Sequence, residues 1–376
     1  MINVIVVDVK GLITQSGHDV VVRHDAYGAA LKVLEPNSRL YILSRYEVQD
    51  QSLAKNIEII SVKSLFGFFR RGGRLLRSLK GRILLVSGDP WESFFSCVVL
   101  RVISKRQAPI QLQIHADVGS LIWKRLNWRN KIRAQTISFS LKYAEQIRCV
   151  SRKQLTNLEK TLPLVGLRSV VIPVPIKVDT SWAEKRKFAK NCSIAIVGRI
   201  HKDRGLEEFI RVCKVLVINY PDLRINVVGD GPHEEWFKST LKREGLLEHS
   251  TFFGNLSQQD LSLVWQTFGC VASFAPSEAY GRTARESLIY GVPVLAMRSS
   301  GLEELGNSLD KDGVWFLDGL NDGDISNLFG VVSEFIVAKR VSELVIDEVN
   351  SLNEKIAKSW ITGSMLPLVH RGRLKR

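Results

Sequence analysis

Short runs rich in valine and isoleucine alternate along this chain with longer stretches of helical period, and the alternation stops once and then restarts. Strands buried on both faces of a parallel sheet must be near-continuously apolar, and parallel neighbours need a crossover, usually a helix, so this rhythm dictates βα units. The apolar runs fall at 2–8, 39–44, 57–62, 82–87, 110–115, 146–150 and 169–174. After the proline-broken, charged stretch PVPIKVDTSWAEKRKFAKN, which reads as a linker, they resume at 192–197, 223–228, 249–253, 269–274, 293–297 and 313–316. Helices are expected at 204–218, 233–244, 257–267 and 282–290. The fold class is therefore α/β, with two Rossmann-like doubly wound domains, residues 1–180 and 181–350, facing across a cleft. Residues 351–376 form a closing helix and basic tail that can return to the first domain.

Charge separates the two halves. The chain carries 53 Lys and Arg against 38 Asp and Glu, a net +15. Residues 1–180 hold 28 basic and 13 acidic side chains, so the whole excess lies there and the remainder is neutral. Such a half faces something anionic: phospholipid, a lipid-linked diphosphate or nucleic acid. Five scattered cysteines without C-x-x-C spacing indicate neither a disulfide framework nor a zinc site. The opening MINVIVVDVK has the pattern of a buried strand, and no apolar run approaches the roughly 18 residues of a bilayer span, so a cytosolic protein is expected.

The densest chemical signal is SFAPSEAYGRTARESLIYGVPVLA, residues 273–296. A strand runs into a loop carrying Glu278 and Gly281, and a helix opens near Arg282, which aims backbone N–H groups at an anion. Glu278 and Glu286, seven residues between them, are placed to accept hydroxyl hydrogen bonds from sugar rings on either side of a diphosphate. Spacing alone would equally fit a solvated helix face; Pro276, Gly281 and the following Gly291-Val292-Pro293-Val294 raise the signal.

In VGRIHKDRGLEEFI, residues 197–210, a strand ends at Gly198 and Arg199 and Arg204 flank a loop, where forked guanidinium groups suit diphosphate oxygens. VVGDGPHEEW, residues 227–236, reads first as a tight strand-to-helix turn around Asp230. FFGNLSQQDL, residues 252–261, repeats that form, with Ser257 as a helix cap and Gly254 as bare backbone near a base edge. In the first half, His115 and Asp117 follow one strand and Asp89 another, at the expected cleft; His115 is a candidate catalytic group and Asp89 and Asp117 are acceptor-side candidates, each against a local cap or backbone hydrogen bond.

In this order, GRIHKDRG, VVGDGP, FFGNLS, PSEAYGRTARE and GVPVLA resemble the carboxyl-terminal half of glycosyltransferase family 4, retaining enzymes of GT-B fold that include bacterial cell-surface polysaccharide transferases. GDPWES, LQIHADVG and IRCVSRKQL resemble the amino-terminal domain of bacterial members. The resemblance implies a nucleotide-diphosphate sugar as donor, no cofactor and no metal. It implies that Glu286 holds the donor ribose, that Glu278 binds the transferred sugar and that Arg199 and Arg204 neutralise the diphosphate. Ala279, Tyr280, Gly281, Arg282 and Thr283 would supply backbone hydrogen bonds, and His115 matches a histidine that contacts the sugar. Arg204 stands where the family usually has lysine, and segment 9–22 lacks the usual glycine pair.

LFGFFRRGGRLLRSLK, residues 65–80, combines an apolar stripe with five basic residues. It is either a crossover helix packed on its own sheet or a helix lying on an anionic bilayer. With the basic half it points to a protein peripheral to the inner face of the cell membrane and to a glycolipid or oligosaccharide acceptor. A nucleic-acid module is the main rival, with LIWKRLNWRNKIR as its nearest support, although at helical spacing that segment more naturally packs on the sheet. A nucleotide-sugar epimerase or hydrolase on the same scaffold is another. A nicotinamide dehydrogenase is disfavoured because the first βα connection has no G-x-G-x-x-G.

Overall fold

The computed structural model describes residues 1–11, 18–46, 55–176, 192–265, 267–308, 313–335 and 343–365. Most of the linker stretch, the centre of segment 9–22 and the basic tail after residue 365 lie outside them. The chain divides into two units, Met1–Pro175 with Ser351–Arg376, and Ile176–Asn350.

The first unit is a seven-stranded parallel sheet of β1 (Ile2–Asp8), β2 (Arg39–Ser44), β3 (Ile57–Ser61), β4 (Arg82–Ser87), β5 (Ile110–Ile114), β6 (Gln146–Cys149) and β7 (Ser169–Val171). Its order is β3-β2-β1-β4-β5-β6-β7, and β1 is buried at every residue, as a central strand covered on both faces must be. The crossovers are α1 (His18–Leu34), α2 (Leu65–Ser78), α3 (Glu92–Ser104), the pair α4 (Leu121–Arg125) and α5 (Trp128–Tyr143), and α6 (Arg152–Thr161).

Residues 65–78 form a crossover helix. Phe68 and Leu76 are buried, and Gly72 and Gly73 lie where Leu100 and Ile103 of α3 pack against them, so the glycines that weaken an isolated helix here admit a neighbour. Most of the apolar stripe, Phe68, Phe69, Leu75, Leu76 and Leu79, packs on the core, while Leu65 at its start is exposed. The 121–133 stretch breaks in two because Asn127 caps α5, accepting from the Asn130 N–H at 2.8 Å. Trp123 is buried and stacked on Trp91 at 5.9 Å, so the two tryptophans do not form one exposed aromatic face.

The second unit is a six-stranded parallel sheet of β8 (Ser193–Val197), β9 (Arg224–Val228), β10 (Ser250–Gly254), β11 (Cys270–Ser273), β12 (Val294–Ala296) and β13 (Val314–Phe316), in the order β10-β9-β8-β11-β12-β13. Its helices are α7 (Leu206–Asn219), α8 (Glu234–Arg243), α9 (Gln258–Trp265), α10 (Arg282–Ile289), α11 (Ser300–Ser308) and α12 (Asp322–Phe335). The last helix, α13 (Glu343–Ser359), continues as a wider turn, Trp360–Met365. Within the first unit, Trp360 lies against Tyr27 at 4.1 Å and donates from Nε1 to Gln111 Oε1 at 2.8 Å. Arg148, 1% exposed, has its guanidinium near both rings and donates to the carbonyls of Ile172 and Pro173 and to the Tyr27 hydroxyl. A buried guanidinium so satisfied is a structural bolt. Cys97, Cys149, Cys213 and Cys270 are core residues whose thiols burial pushes up, that of Cys149 to about 12, which leaves them inert.

Candidate active site

In both sheets the order reverses once, between β1 and β4 and between β8 and β11. At such a switch point the crossovers leave towards opposite faces and open a crevice beyond the strand carboxyl ends. In the second unit the crevice is furnished. Gly198 and Arg199 follow β8, Glu278 follows β11, and with Arg204, Gly281 and Thr283 they line one recess.

Gly198 brings bare backbone to the recess and continues a row of glycines along the strand ends. Gly198, Gly229 and Gly254 end three adjacent strands with φ of 128°, 118° and 64°, and are stitched by Gly198 N–H to Val228 O at 2.9 Å and Gly229 N–H to Gly254 O at 2.7 Å. A Cβ on Gly229 would overlap the carbonyl of Gly198, so this step requires glycine for space as well as for φ.

The wall is the start of α10. Its N-cap, Gly281, is left-handed at φ 74° and supplies no side-chain cap, and the positive end of the helix dipole lies at this turn. Glu278 lies beside it: its Oε1 accepts from Gly281 N–H at 3.1 Å and Tyr280 N–H at 3.4 Å, and its Oε2 accepts from Arg204 Nη1 at 2.8 Å. Arg204 is placed by a short 3-10 turn, Lys202–Arg204, that ends at left-handed Gly205, itself the N-cap of α7. Arg199 is exposed and has no ion pair among the described residues, so its charge faces the recess unneutralised.

Glu286 lies one helical level deeper. Its side chain is 6% exposed and accepts from Arg282 Nε at 2.8 Å across one turn. Ala279 and Tyr280 are buried in the loop; they shape it rather than line the recess.

Two residues escape sequence reasoning. Arg285 is buried beneath the loop, donates from Nε to the Tyr280 carbonyl at 3.0 Å and places its guanidinium 4.2 Å from the Tyr280 ring centre. Burial lowers its pKa, yet the charge is retained against the ring face. Nothing in TARESL distinguishes an inward arginine from an outward one. Gly301 donates to Glu278 O at 2.8 Å, and a Cβ there would strike Tyr280 backbone; Ser299-Ser300-Gly301 before a helix was the available signal.

In the first unit the candidates separate. The Asp89 carboxylate accepts from Trp91 N–H at 2.8 Å, from Ser93 N–H at 3.3 Å and from Ser93 Oγ at 2.5 Å, and so supports the start of α3. Asp117 is 1% exposed and its carboxylate accepts from the Asn157 side-chain amide at 3.4 Å. His115 is exposed beyond β5, with Nε2 3.3 Å from Gln113 Oε1.

Residues 179–329 match the family model described as Glycosyl transferases group 1, which covers less than half of the chain but all of the recess. The match supports a group 1 glycosyltransferase. An uncharacterized glycosyltransferase of Haemophilus influenzae is 24% identical over 197 residues, 51% of this chain and 54% of that protein. The chain spans about half the length of the curated relatives it matches. Sucrose-phosphate synthase from Thermosynechococcus elongatus superposes with a TM-score of 0.70 at 15% identity over 99% of both chains. Anabaena Alr3699/HepE in complex with UDP and glucose does so at 0.66, with 14% identity over 96% of this chain and 99% of that one. The fold is GT-B. Both doubly wound sheets of that fold are present here, with the recess at the switch point of the second.

Proposed function

We propose that the protein transfers a sugar from a nucleotide-diphosphate donor to an acceptor hydroxyl with retention of configuration, at an anionic membrane surface and with a lipid-linked saccharide as acceptor in surface polysaccharide synthesis. The observation that carries the donor half is the convergence of Arg199, Arg204, the bare backbone of Gly198 and the start of α10, which has no side-chain cap, at the β8/β11 switch point. Cationic forks and fixed N–H dipoles stabilise charge that grows on a leaving diphosphate without reorganising, and that supplies the neutralisation a metal would otherwise provide. Glu278, tethered to Arg204 and the loop N–H groups, meets the sugar hydroxyls, and Glu286 meets the ribose. Retention and the acceptor class follow from the family-4 resemblance and from the basic first unit.

The complex of Alr3699/HepE with UDP and glucose places uridine donors first in a calorimetric panel of nucleotide-diphosphate sugars. One donor is expected to bind, and Glu286→Gln, which keeps the shape but removes the charge, to weaken it about tenfold or more. No binding by any donor, or an unaffected Glu286→Gln variant, would sink the proposal.

A further inference from the structure

Helix α3 has the wrong outer face for water. Its inner side buries Phe94, Cys97 and Leu100, as a crossover helix should, and a solvated helix then turns polar residues outward. Phe95, Val99 and Val102 point out instead, Val102 at 68% exposure. The charged groups on this helix are already engaged, Glu92 by Lys10 at 2.6 Å and Arg101 by Glu145 at 2.8 Å. The apolar strip does not end with α3. Phe95 stacks on Phe139 of α5 at 5.5 Å, Phe139 meets Tyr143 at 4.5 Å, and beyond them lies an apolar groove lined by Leu141, Leu162, Pro163 and Val165. A contiguous strip of this kind, unlike scattered exposed leucines, marks a surface that meets something.

The rim decides what it meets. Neither α2 nor α5, the helices flanking α3, contains an aspartate or glutamate. Several basic residues nearby are structural: Arg77 donates to Ile103 O, Arg106 to Leu79 O, and Arg168 to carbonyls that end α5. Arg70, Arg71 and Arg74 of α2 and Lys131 of α5 are exposed and have no ion pair among the described residues. Lys142 lies over Tyr143 at 5.7 Å and Arg129 over the exposed Trp128 at 5.6 Å, amphipathic pairs with an apolar body and a cationic tip.

We infer that the α3–α5 face of the first unit seats the protein on an anionic lipid bilayer, with Phe95, Val102 and Phe139 in the acyl boundary and the arginines of α2 and lysines of α5 among the headgroups. A second copy of the chain would bring one basic rim against another, whereas an anionic bilayer offers apolar depth and negative charge together. The inference rests on the membrane part of the proposed function, moves the contact from the buried stripe of α2 to its neighbours, and does not depend on the transfer chemistry.

The test is sedimentation of the full chain with vesicles of phosphatidylcholine alone and of phosphatidylcholine mixed with phosphatidylglycerol. The wild type is expected to sediment with the mixed vesicles and to be released by salt. Phe95→Ser/Val102→Ser/Phe139→Ser is expected to lower the partition coefficient about tenfold or more, since those side chains lose their apolar anchor. Arg70→Gln/Arg71→Gln/Arg74→Gln, which alters no buried group, is expected to remove the preference for anionic lipid. Equal binding to both vesicle types, an unaffected serine variant, or a wild-type dimer that the serine variant makes monomeric would overturn the inference; the last result would give the face to a second copy. Donor calorimetry on the same samples separates the two readings, because lost donor binding with intact vesicle binding rejects only the transferase proposal.

Discussion

In the first unit Ser64, Ser120, Asn127 and Ser151 each turn a side-chain oxygen onto the first-turn N–H groups of α2, α4, α5 and α6, and at α3, whose N-cap Trp91 has no side-chain cap, Asp89 accepts from the Ser93 N–H at 3.3 Å. In the second unit Ser257 and Asn321 cap α9 and α12 in the same way, but α7 and α10, which follow β8 and β11, start from left-handed Gly205 and Gly281, α8 starts from His233, and none of these three cap residues offers a side-chain acceptor. The strand orders correspond, so topology does not explain the contrast. A capped helix has satisfied its own dipole end; an uncapped one at a strand carboxyl end keeps its N–H groups for a ligand. The comparison teaches that the two sheets are used differently: one is closed locally and basic outside, the other is left open where β8 and β11 diverge.

The strongest way to break that comparison is to discharge the open site. Arg199→Gln/Arg204→Gln is expected to lower donor turnover about a hundredfold or more, because the two guanidinium groups proposed to face the leaving diphosphate are removed while the helix starts and the Gly198 backbone persist. Turnover of the donor found by calorimetry, followed by release of nucleoside diphosphate, reads the effect. Wild-type rates in the double variant would mean that the recess is not where the diphosphate leaves.

Much of the contrast was legible in the chain. Ser257 before a helical run announced a cap, and its hydroxyl accepts from Asp260 N–H at 3.1 Å while bonding the Asp260 carboxylate. The glycines read as strand ends or close backbone approaches at 198, 229, 254 and 281 all adopt positive φ. Strand cores could be read because a parallel sheet leaves no polar face to interrupt them. What could not be read depends on partners far apart in sequence. The ion pair of Arg204 with Glu278 spans 74 positions, and the inward turn of Arg285 is decided by the loop above it. The outer face of α3 escaped for the opposite reason: ESFFSCVVLRVIS is apolar almost all round, so its pattern does not say which side is core.

A smaller effect sharpens the comparison from the closed side. Ser151→Ala removes the acceptor for Gln154 N–H at 3.2 Å and is expected to cost about 1 kcal/mol of stability in chemical denaturation. Donor affinity should stay at the wild-type value, since α6 belongs to the first unit and its cap is local. A parallel loss of donor binding would show that the first unit's caps are not merely structural.

The smallest expected effect concerns how the open site holds Arg204. His201 caps the turn before it, its Nδ1 accepting from Asp203 N–H at 3.2 Å, which requires a neutral ring. Burial lowers the His201 pKa; Asp203 opposes this, and Arg199, His233 and Arg204 reinforce it. A histidine whose folded pKa lies below its unfolded value contributes stability that is present above the unfolded pKa and is lost as pH falls through the folded one. From neutral pH to about pH 5, the wild type should therefore lose less than about 1 kcal/mol at this turn, read as a falling unfolding midpoint. His201→Asn replaces the ring with an acceptor that does not titrate and should remove that part of the decline while leaving the midpoint at neutral pH nearly unchanged. If His201→Asn declines with the same slope, the turn is held by its glycine and not by its histidine, and Arg204 is positioned by Glu278 alone.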